Sequence, residues 1–338
     1  MAGVLVSQRV ADAYGERILE ISRRCSRPLD VFVSSPSAPL SANVCNALEI
    51  AFYSRDVWEG CDKTFINPET RAFFTAVDAA PKLRWLQVTS AGADLPIYQP
   101  SLERGVRVTT SSGANAEPMA QTVTWAVLSL ARATAHWMAG QRRREWSPLI
   151  SPDLPRDLRG QNAVIVGTGP VGKSIARLLR TLGLNTIGIR RTPAPAEHFD
   201  RVATYERIDD VLPHAQWLVI ACPLTETTQG LIDARRIGLL PSDAHVINVA
   251  RGEILDEAAL IDALTQQRLA GAYLDVFAVE PLPKESPLWA MPNVIITPHN
   301  CSASAGNEGR GVDIFLRNLE NFLSGRALEN EVDWHHAK

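Results

Sequence analysis

The chain has 338 residues, of which 46% are hydrophobic, and a formal net charge of -3 at pH 7. This length favours two domains with a sizeable core, and the charge is not basic enough for nucleic-acid binding. No apolar run reaches membrane-spanning length, the N-terminus lacks a signal-peptide pattern, and the five cysteines form no Cys-x-x-Cys pair. We therefore expect a cytoplasmic protein with free thiols and with no metal site, membrane partner or nucleic-acid partner.

The first third of the chain predicts strands that alternate with helices. Short apolar runs rich in β-branched residues predict the strands, and spacings of three and four predict the helices. Alternation of this kind is typical of a parallel sheet with helices on its faces. Residues 1–28 are ambiguous, apart from a possible helix over 11–22. The other predicted elements are strands at 29–33, 48–53, 83–88 and 106–110 and a helix near 68–80.

A loop of small residues, 89–94, follows the third of these strands. A loop of this kind at the carboxyl end of a parallel strand presents bare backbone N–H groups to the crevice, which suit a carboxylate or phosphate. A simple tight turn explains the same composition equally well.

The rest of the chain continues the alternation. A long apolar helical pattern at 117–140 predicts a helix that bridges two domains, and the Pro-, Arg- and Trp-rich residues 142–159 predict an irregular linker. Further on, the predicted strands are 163–166, 185–190, 215–220, 244–250, 269–277 and 294–299, and the predicted helices are 170–182, 256–269 and 304–323.

Three glycines follow the strand at 163–166 with Gly-x-Gly-x-x-Gly spacing and open the next helix. In a strand, turn and helix of this kind, the glycines permit a tight turn, close approach of a pyrophosphate and close packing of helix on strand. The alternative is a glycine turn inside a core, but the flanking elements favour dinucleotide binding. The predicted cofactor contacts in this turn are Gly167, Gly169, Pro170, Val171 and Gly172.

The second strand of this unit ends in Arg190 and Arg191, about 20 residues beyond the glycines. An acidic residue at this position would bind the ribose hydroxyls of NAD, whereas a guanidinium can pair with the 2′-phosphate of NADP. The arginines therefore predict that NADP(H) is preferred and that NAD(H) is possible. Two solvated arginines at a strand end are the alternative.

Three ionisable residues follow apolar strands near their carboxyl ends: Arg251, Glu280 and His299. Each alone has an ordinary explanation, as a surface charge, a loop acid and a core or capping histidine respectively. Because the carboxyl ends of parallel strands converge on the crevice that binds the nucleotide, we expect the three side chains to gather there.

Together with further motifs, these residues resemble the D-isomer-specific 2-hydroxyacid dehydrogenases over nearly the whole chain. The matching motifs are AGAD at 91–94, the glycine turn, PLTETT at 223–228, INVARGEILD at 247–256, LDVFAVEPLP at 274–283 and TPH at 297–299. The resemblance implies an α/β fold with two doubly wound parallel-sheet lobes. A Rossmann dinucleotide-binding domain, 115–304, is inserted in a flavodoxin-like substrate domain, 1–114 and 305–338, with the active site in the cleft between them and homodimers through the nucleotide lobes.

The resemblance also implies roles for individual residues. Arg251 binds the substrate carboxylate and carbonyl, His299 donates and accepts the proton, and Glu280 orients His299. The backbone amides of Ala91, Gly92 and Ala93 contact the substrate carboxylate. The remaining implied cofactor contacts are Cys222, Pro223, Thr228, Val249, Ala250, Asp275 and His299.

These roles suit the reduction of a small 2-oxo acid. A protonated imidazole can quench the alkoxide that forms on the carbonyl oxygen, and the planar guanidinium of Arg251 matches a carboxylate. We expect an NAD(P)H-dependent reductase of glyoxylate, hydroxypyruvate or a similar acid, which yields the D-2-hydroxy acid. The alternatives are an NAD-linked dehydrogenase of a bulkier D-2-hydroxy acid and a non-catalytic dinucleotide-sensing binding protein.

Overall fold

A computed structural model describes residues 2–61, 65–93, 95–151 and 154–332. The chain divides into two compact units, Met1–Ala114 with Ser304–Lys338, and Asn115–Ala303. We call them unit 1 and unit 2. The strands of the described residues are β1 (Ala2–Val6), β2 (Leu29–Val33), β3 (Leu48–Tyr53), β4 (Trp85–Val88), β5 (Arg107–Thr110), β6 (Asn162–Val166), β7 (Asn185–Arg190), β8 (Arg201–Thr204), β9 (Trp217–Ile220), β10 (His245–Asn248), β11 (Gly271–Leu274) and β12 (Val294–Ile296). The α-helices are α1 (Gln8–Arg24), α2 (Ala42–Cys45), α3 (Arg55–Trp58), α4 (Pro68–Asp78), α5 (Gln99–Glu103), α6 (Ala116–Ala131), α7 (Thr134–Arg143), α8 (Pro170–Thr181), α9 (Ala234–Ile237), α10 (Glu257–Thr265) and α11 (Asn307–Leu323).

Unit 1 is built on a five-stranded parallel sheet with the order β2-β1-β3-β4-β5, which is the flavodoxin-like order. The central strands are buried on both faces, which is why their sequences are nearly continuous apolar runs. Helices α1 and α11 cover one face, where Phe315 of α11 stacks on Phe52 of β3 with ring centroids 4.4 Å apart.

Unit 2 is built on a seven-stranded parallel sheet with the order β12-β11-β10-β9-β6-β7-β8. The strand order reverses between β6 and β9, which is the switch point where doubly wound sheets bind ligands. Helices α6 and α8 pack with the apolar side chains of β6 and β9 on one face of the sheet. The sequence-based prediction of two doubly wound parallel sheets is therefore confirmed.

Several elements differ from the predictions. Residues 2–6 form the central strand β1 within the ambiguous segment, and the edge strand β8 was not predicted. The predicted helix at 117–140 is two helices, α6 and α7, because Ala133 adopts a left-handed conformation with φ of 52°. Nothing in the sequence marks this break, since neither glycine nor proline lies there. Among the residues that the structure describes, no helix combines the length and apolarity that crossing a bilayer requires.

Candidate active site

The glycine turn connects β6 to α8 at the switch point of unit 2. Gly167 has φ of 107°, and a Cβ added there would lie 2.5 Å from the carbonyl oxygen of Ala221. A Cβ at Gly172 would lie 1.9 Å from the carbonyl oxygen of Gly167. Both positions therefore exclude any larger residue. Gly169, in contrast, is the N-cap of α8 and faces open space in the described chain. An anion can approach the backbone there, where N–H groups of the first helical turn need acceptors, so the turn fits a pyrophosphate.

Arg190 lies partly buried at the carboxyl end of β7, and Arg191 is exposed beside it. Within the described residues, neither guanidinium forms an ion pair with a carboxylate. Tyr205 is near both of them and near Cys222. Burial raises the pKa of Tyr205 to about 12, against a smaller opposite effect of the two arginines. A partly buried phenol ring and two guanidinium groups therefore lie near one another at the carboxyl ends of β7 and β8.

The loop after β9 contains three of the predicted cofactor contacts. Cys222 is 4% exposed, and burial raises the pKa of its thiol to about 12. The Thr228 hydroxyl donates to the carbonyl oxygen of Pro223 at 2.7 Å and accepts from the backbone N–H of Thr225 at 2.8 Å. Thr228 is buried, so the contacts of its side chain shape the loop itself.

The loop after β10 carries Arg251. The Asn248 side chain accepts a hydrogen bond from the backbone N–H of Ala250 at 3.1 Å and donates one to the carbonyl oxygen of Arg251 at 3.0 Å. Arg251 is partly buried, and its Nη1 donates to the carbonyl oxygen of Ala250 at 2.8 Å. Val249 and Ala250 are buried behind it. The Arg251 loop is thus held by a side chain of the strand that precedes it.

Glu280 and His299 are in direct contact. Oε2 of Glu280 lies 2.8 Å from Nδ1 of His299, and Oε1 accepts a hydrogen bond from the backbone N–H of Phe277 at 3.1 Å. The Glu280 side chain is 21% exposed and that of His299 is 48% exposed. Because Glu280 occupies Nδ1, Nε2 is the ring nitrogen that can exchange a proton with a bound molecule.

The backbone around His299 is held by Asp275, which follows β11. Oδ1 of Asp275 accepts hydrogen bonds from the N–H groups of Asn300 and Cys301 and from the Thr297 hydroxyl, at 2.7, 2.9 and 2.5 Å. The carbonyl oxygen of Asp275 accepts from the N–H of His299 at 2.8 Å. His299 has φ of 51°, a left-handed conformation that costs about 1–2 kcal/mol for a residue with a Cβ. These bonds stabilise the turn against that cost.

The loop that carries Arg251 and the segment after β11 that carries Glu280 meet at Gly252. A Cβ there would lie 2.0 Å from both the carbonyl carbon and the oxygen of Phe277. Since the N–H of Phe277 holds Glu280, which holds His299, a chain of contacts links the segment that carries Arg251 to the imidazole.

The small-residue loop lies in unit 1, after β4. Ser90 Oγ donates to the carbonyl oxygen of Gly92 at 2.6 Å. The N–H groups of Ala91, Gly92 and Ala93 donate to no oxygen within residues 2–61, 65–93, 95–151 and 154–332. These exposed or partly buried N–H groups are open to water or to a ligand, and the role of the loop in substrate binding stays a prediction. Asp94, the last residue of this motif, lies outside the described residues.

Sequence reasoning missed three residues that shape the site: Asn248, Gly252 and Thr297. Asn248 ends β10, Gly252 lies four residues beyond that end, and Thr297 directly follows β12. A polar or glycine residue near the carboxyl end of a strand is the signal that could have indicated them. In the described parts of the chain, no three His, Cys, Asp or Glu side chains are arranged to hold a metal ion.

Comparison with known proteins adds an independent finding. Residues 124–301 match the family model described as D-isomer specific 2-hydroxyacid dehydrogenase, NAD binding domain. A putative 2-hydroxyacid dehydrogenase of Haemophilus influenzae is 33% identical, over 72% of this chain and 78% of the relative. A glyoxylate reductase of Thermococcus gammatolerans is 31% identical, over 73% of this chain and 75% of the relative.

Solved structures agree with these relatives. The D-isomer specific 2-hydroxyacid dehydrogenase of Xanthobacter autotrophicus, solved with NADPH and MES, superimposes with a TM-score of 0.75 at 28% identity. That alignment covers 100% of this chain and 99% of the neighbour.

Proposed function

Because the chain belongs to the D-isomer-specific 2-hydroxyacid dehydrogenases, an NAD(P)-binding family of oxidoreductases, we propose that it reduces a small 2-oxo acid to the D-2-hydroxy acid with NADPH as the preferred reductant. Glyoxylate and hydroxypyruvate are the proposed substrates. The observation that carries this proposal is the 2.8 Å contact between Glu280 and Nδ1 of His299 at the carboxyl edge of the unit 2 sheet. Glyoxylate reductases among the relatives support the choice of substrate class.

His299 supplies the proton in this proposal. When bound, the nicotinamide supplies the hydride that adds to the carbonyl carbon of the 2-oxo acid. Nε2 of the imidazolium transfers its proton to the carbonyl oxygen, and the C=O bond becomes an alcohol. Glu280 stabilises the imidazolium and fixes the ring so that Nε2 faces the substrate, because its two carboxylate oxygens hold both Nδ1 and the N–H of Phe277. A proton taken up from water restores the imidazolium after each turnover.

Arg251 is the proposed substrate-orienting residue. Its guanidinium offers two parallel N–H donors to the substrate carboxylate, which fixes the direction in which the carbonyl points. We also propose that the N–H groups of Ala91, Gly92 and Ala93 donate to a carboxylate, because the described residues supply no acceptor for them.

The proposed preference for NADPH depends on Arg190 and Arg191. Guanidinium groups without a carboxylate partner in the described residues favour a phosphate, since an isolated positive charge gains most from an anionic ligand. The Xanthobacter neighbour was solved with NADPH, which supports the same preference.

We also propose that the protein is a cytoplasmic homodimer. All five cysteines are free, as a reducing compartment requires. Unit 2 exposes a group of large apolar side chains in α6, α7 and the segment that follows, and burial against a second copy would remove them from water. Light scattering should give twice the chain mass of 37.0 kDa. The apolar residues are Trp125, Leu128, Trp137, Met138, Trp146, Ile150 and Leu154.

A substrate panel tests the proposed function. The oxidation of NADPH and of NADH is followed by absorbance with glyoxylate, hydroxypyruvate, pyruvate and a bulky branched 2-oxo acid. We expect the largest kcat/KM with glyoxylate or hydroxypyruvate and NADPH, and D-lactate as the product from pyruvate. A clear preference for NADH and a bulky acid would contradict the proposal, and so would binding of NADPH without turnover of any acid.

A further inference from the structure

A series of hydrogen bonds between buried and partly buried side chains leads from the sheet of unit 2 to the turn that carries His299. The Tyr273 hydroxyl lies 2.7 Å from Thr297 Oγ1, which lies 2.5 Å from Oδ1 of Asp275. A carboxylate can only accept, and a hydroxyl has a single proton. Thr297 therefore donates to Asp275, and Tyr273 donates to Thr297. The order of donation in this chain is fixed by its ionised end.

This series of hydrogen bonds ends at the backbone of the turn that carries His299. The same oxygen, Oδ1 of Asp275, accepts the N–H groups of Asn300 and Cys301, directly after His299. Asp275 is 1% exposed and Tyr273 is fully buried, and Thr297 between them is partly buried. Any rotation of the Asp275 carboxylate therefore moves the hydrogen-bond acceptor of the turn.

We propose that the Thr297 hydroxyl is a positioning group for His299, which acts by fixing the Asp275 carboxylate that holds the left-handed turn, and that Tyr273 acts only through Thr297. His299 is held from the ring side by Glu280 and from the backbone side by Asp275. Without the hydroxyl, Oδ1 of Asp275 keeps its two backbone donors but loses the donor from Thr297 that helps to fix its rotation, and the turn can relax from φ of 51°. The ring then reaches the substrate in the productive geometry less often. This inference rests on the proposed role of His299 as proton donor.

The principal variant is Thr297→Val, which keeps the shape of the side chain and removes the hydroxyl. With glyoxylate and NADPH, we expect kcat to fall about 10-fold, since the lost bond has an ionised acceptor, while KM and the Kd for NADPH change less than about 3-fold. Thr297→Ser, which restores the hydroxyl, should return kcat to within about 2-fold of the parent. The matched control is Thr124→Val, because the Thr124 hydroxyl bonds only within α6, to Ala120, among the described residues. It should leave kcat unchanged.

Tyr273→Phe provides a second, independent measurement, which also applies if Thr297→Val does not fold. We expect it to lower kcat about 3-fold in the parent chain and to add nothing in the Thr297→Val chain, because the two hydroxyls act in series. A kcat within 2-fold of the parent in both Thr297→Val and Tyr273→Phe would overturn the inference. Equal loss of kcat and NADPH affinity in Thr297→Val, without recovery in Thr297→Ser, would also overturn it.

His299→Gln, measured alongside, separates the two proposals. Full activity in His299→Gln means that the proposed function of His299 fails. An inactive His299→Gln with a normal Thr297→Val means that only the positioning inference fails.

Discussion

The Glu280→Gln substitution tests how the imidazole of His299 is held. The two oxygens of Glu280 both act as acceptors, one from the N–H of Phe277 at 3.1 Å and one facing Nδ1 of His299 at 2.8 Å. A glutamine has only one oxygen, so one of these two donors must face its NH₂ group. If the amide turns its oxygen to Phe277, its NH₂ group faces Nδ1 and disfavours the imidazolium that the proposed mechanism requires. If it turns the oxygen to His299, the N–H of Phe277 loses its acceptor.

The magnitude follows from the kind of bond that is lost. A hydrogen bond between an ionised donor and an ionised acceptor contributes about 1.5–3 kcal/mol, and each 1.4 kcal/mol is a factor of 10 in rate. The pair is partly exposed, at 21% for Glu280 and 48% for His299, so solvent screening favours the lower half of this range. We expect kcat for glyoxylate reduction to fall about 10- to 50-fold, with a smaller change in the Kd for NADPH.

The assay is the decrease of NADPH absorbance at saturating glyoxylate, with cofactor affinity measured separately by protein fluorescence. Glu257→Gln is the matched control, because Glu257 also accepts a backbone N–H of the same loop, that of Ala278 at 3.1 Å, and does so with one oxygen. A glutamine oxygen can replace that acceptor, so kcat should be unchanged in the control. A kcat within 2-fold of the parent for Glu280→Gln would refute the reasoning that the carboxylate holds a protonated His299.

Three further substitutions test other parts of the account. Arg251→Lys should lower kcat/KM for glyoxylate about 100-fold, because a point charge cannot replace the planar pair of donors. Steady-state kinetics measure this fall, and the affinity for NADPH should stay intact. A fall in kcat/KM of less than 5-fold would contradict the proposed role of Arg251. Arg190→Glu should lower kcat/KM for NADPH about 10- to 100-fold and that for NADH less than 3-fold, whereas Arg201→Glu, in the neighbouring strand β8, should alter neither value. His245 stacks on Trp217 at 4.4 Å, and burial lowers the pKa of its imidazole to about 4, against a smaller opposite effect of Asp243. The unfolded chain therefore binds a proton between about pH 6.5 and pH 4 that the folded chain does not, so folding stability falls with decreasing pH by about 1.4 kcal/mol per unit in this window. His245→Phe should keep the stacking on Trp217 and remove this part of the pH dependence of the free energy of unfolding, measured by urea unfolding at pH 7 and pH 5. An unchanged difference between the two pH values would show that His245 does not cause the pH dependence.

The sequence predicts those parts of the fold that depend on local pattern. Strands such as β6 and β9 are apolar on both faces, so their character is visible in a few consecutive residues. The glycine turn is predictable because Gly167 and Gly172 have no room for a side chain. The break between α6 and α7 at Ala133 is not, because apolar periodicity continues through it. Edge strand β8 also escapes prediction, since its four residues are exposed or only partly buried.

The candidate site, like the fold, has some features that the sequence predicts and others that it does not. The contact between Glu280 and His299 agrees with the partnership that the family resemblance implies, and the carboxyl ends of the strands explain why residues far apart in sequence meet. The roles of Asp275 and Thr297 in holding the turn could not be predicted, because their bonds join residues 22–26 positions apart and depend on the rotation of a buried carboxylate. Hydropathy patterns do not indicate which distant residues form hydrogen bonds or how a buried carboxylate is rotated.

His299→Gln, assayed with glyoxylate and NADPH, tests the central claim most directly. We expect kcat to fall about 100- to 10,000-fold, because the substitution removes the proposed proton donor, while the Kd for NADPH stays within about 3-fold of the parent. Retention of more than a tenth of the parent kcat, or a loss of NADPH binding as large as the loss of turnover, would contradict the assignment of His299 as the proton donor.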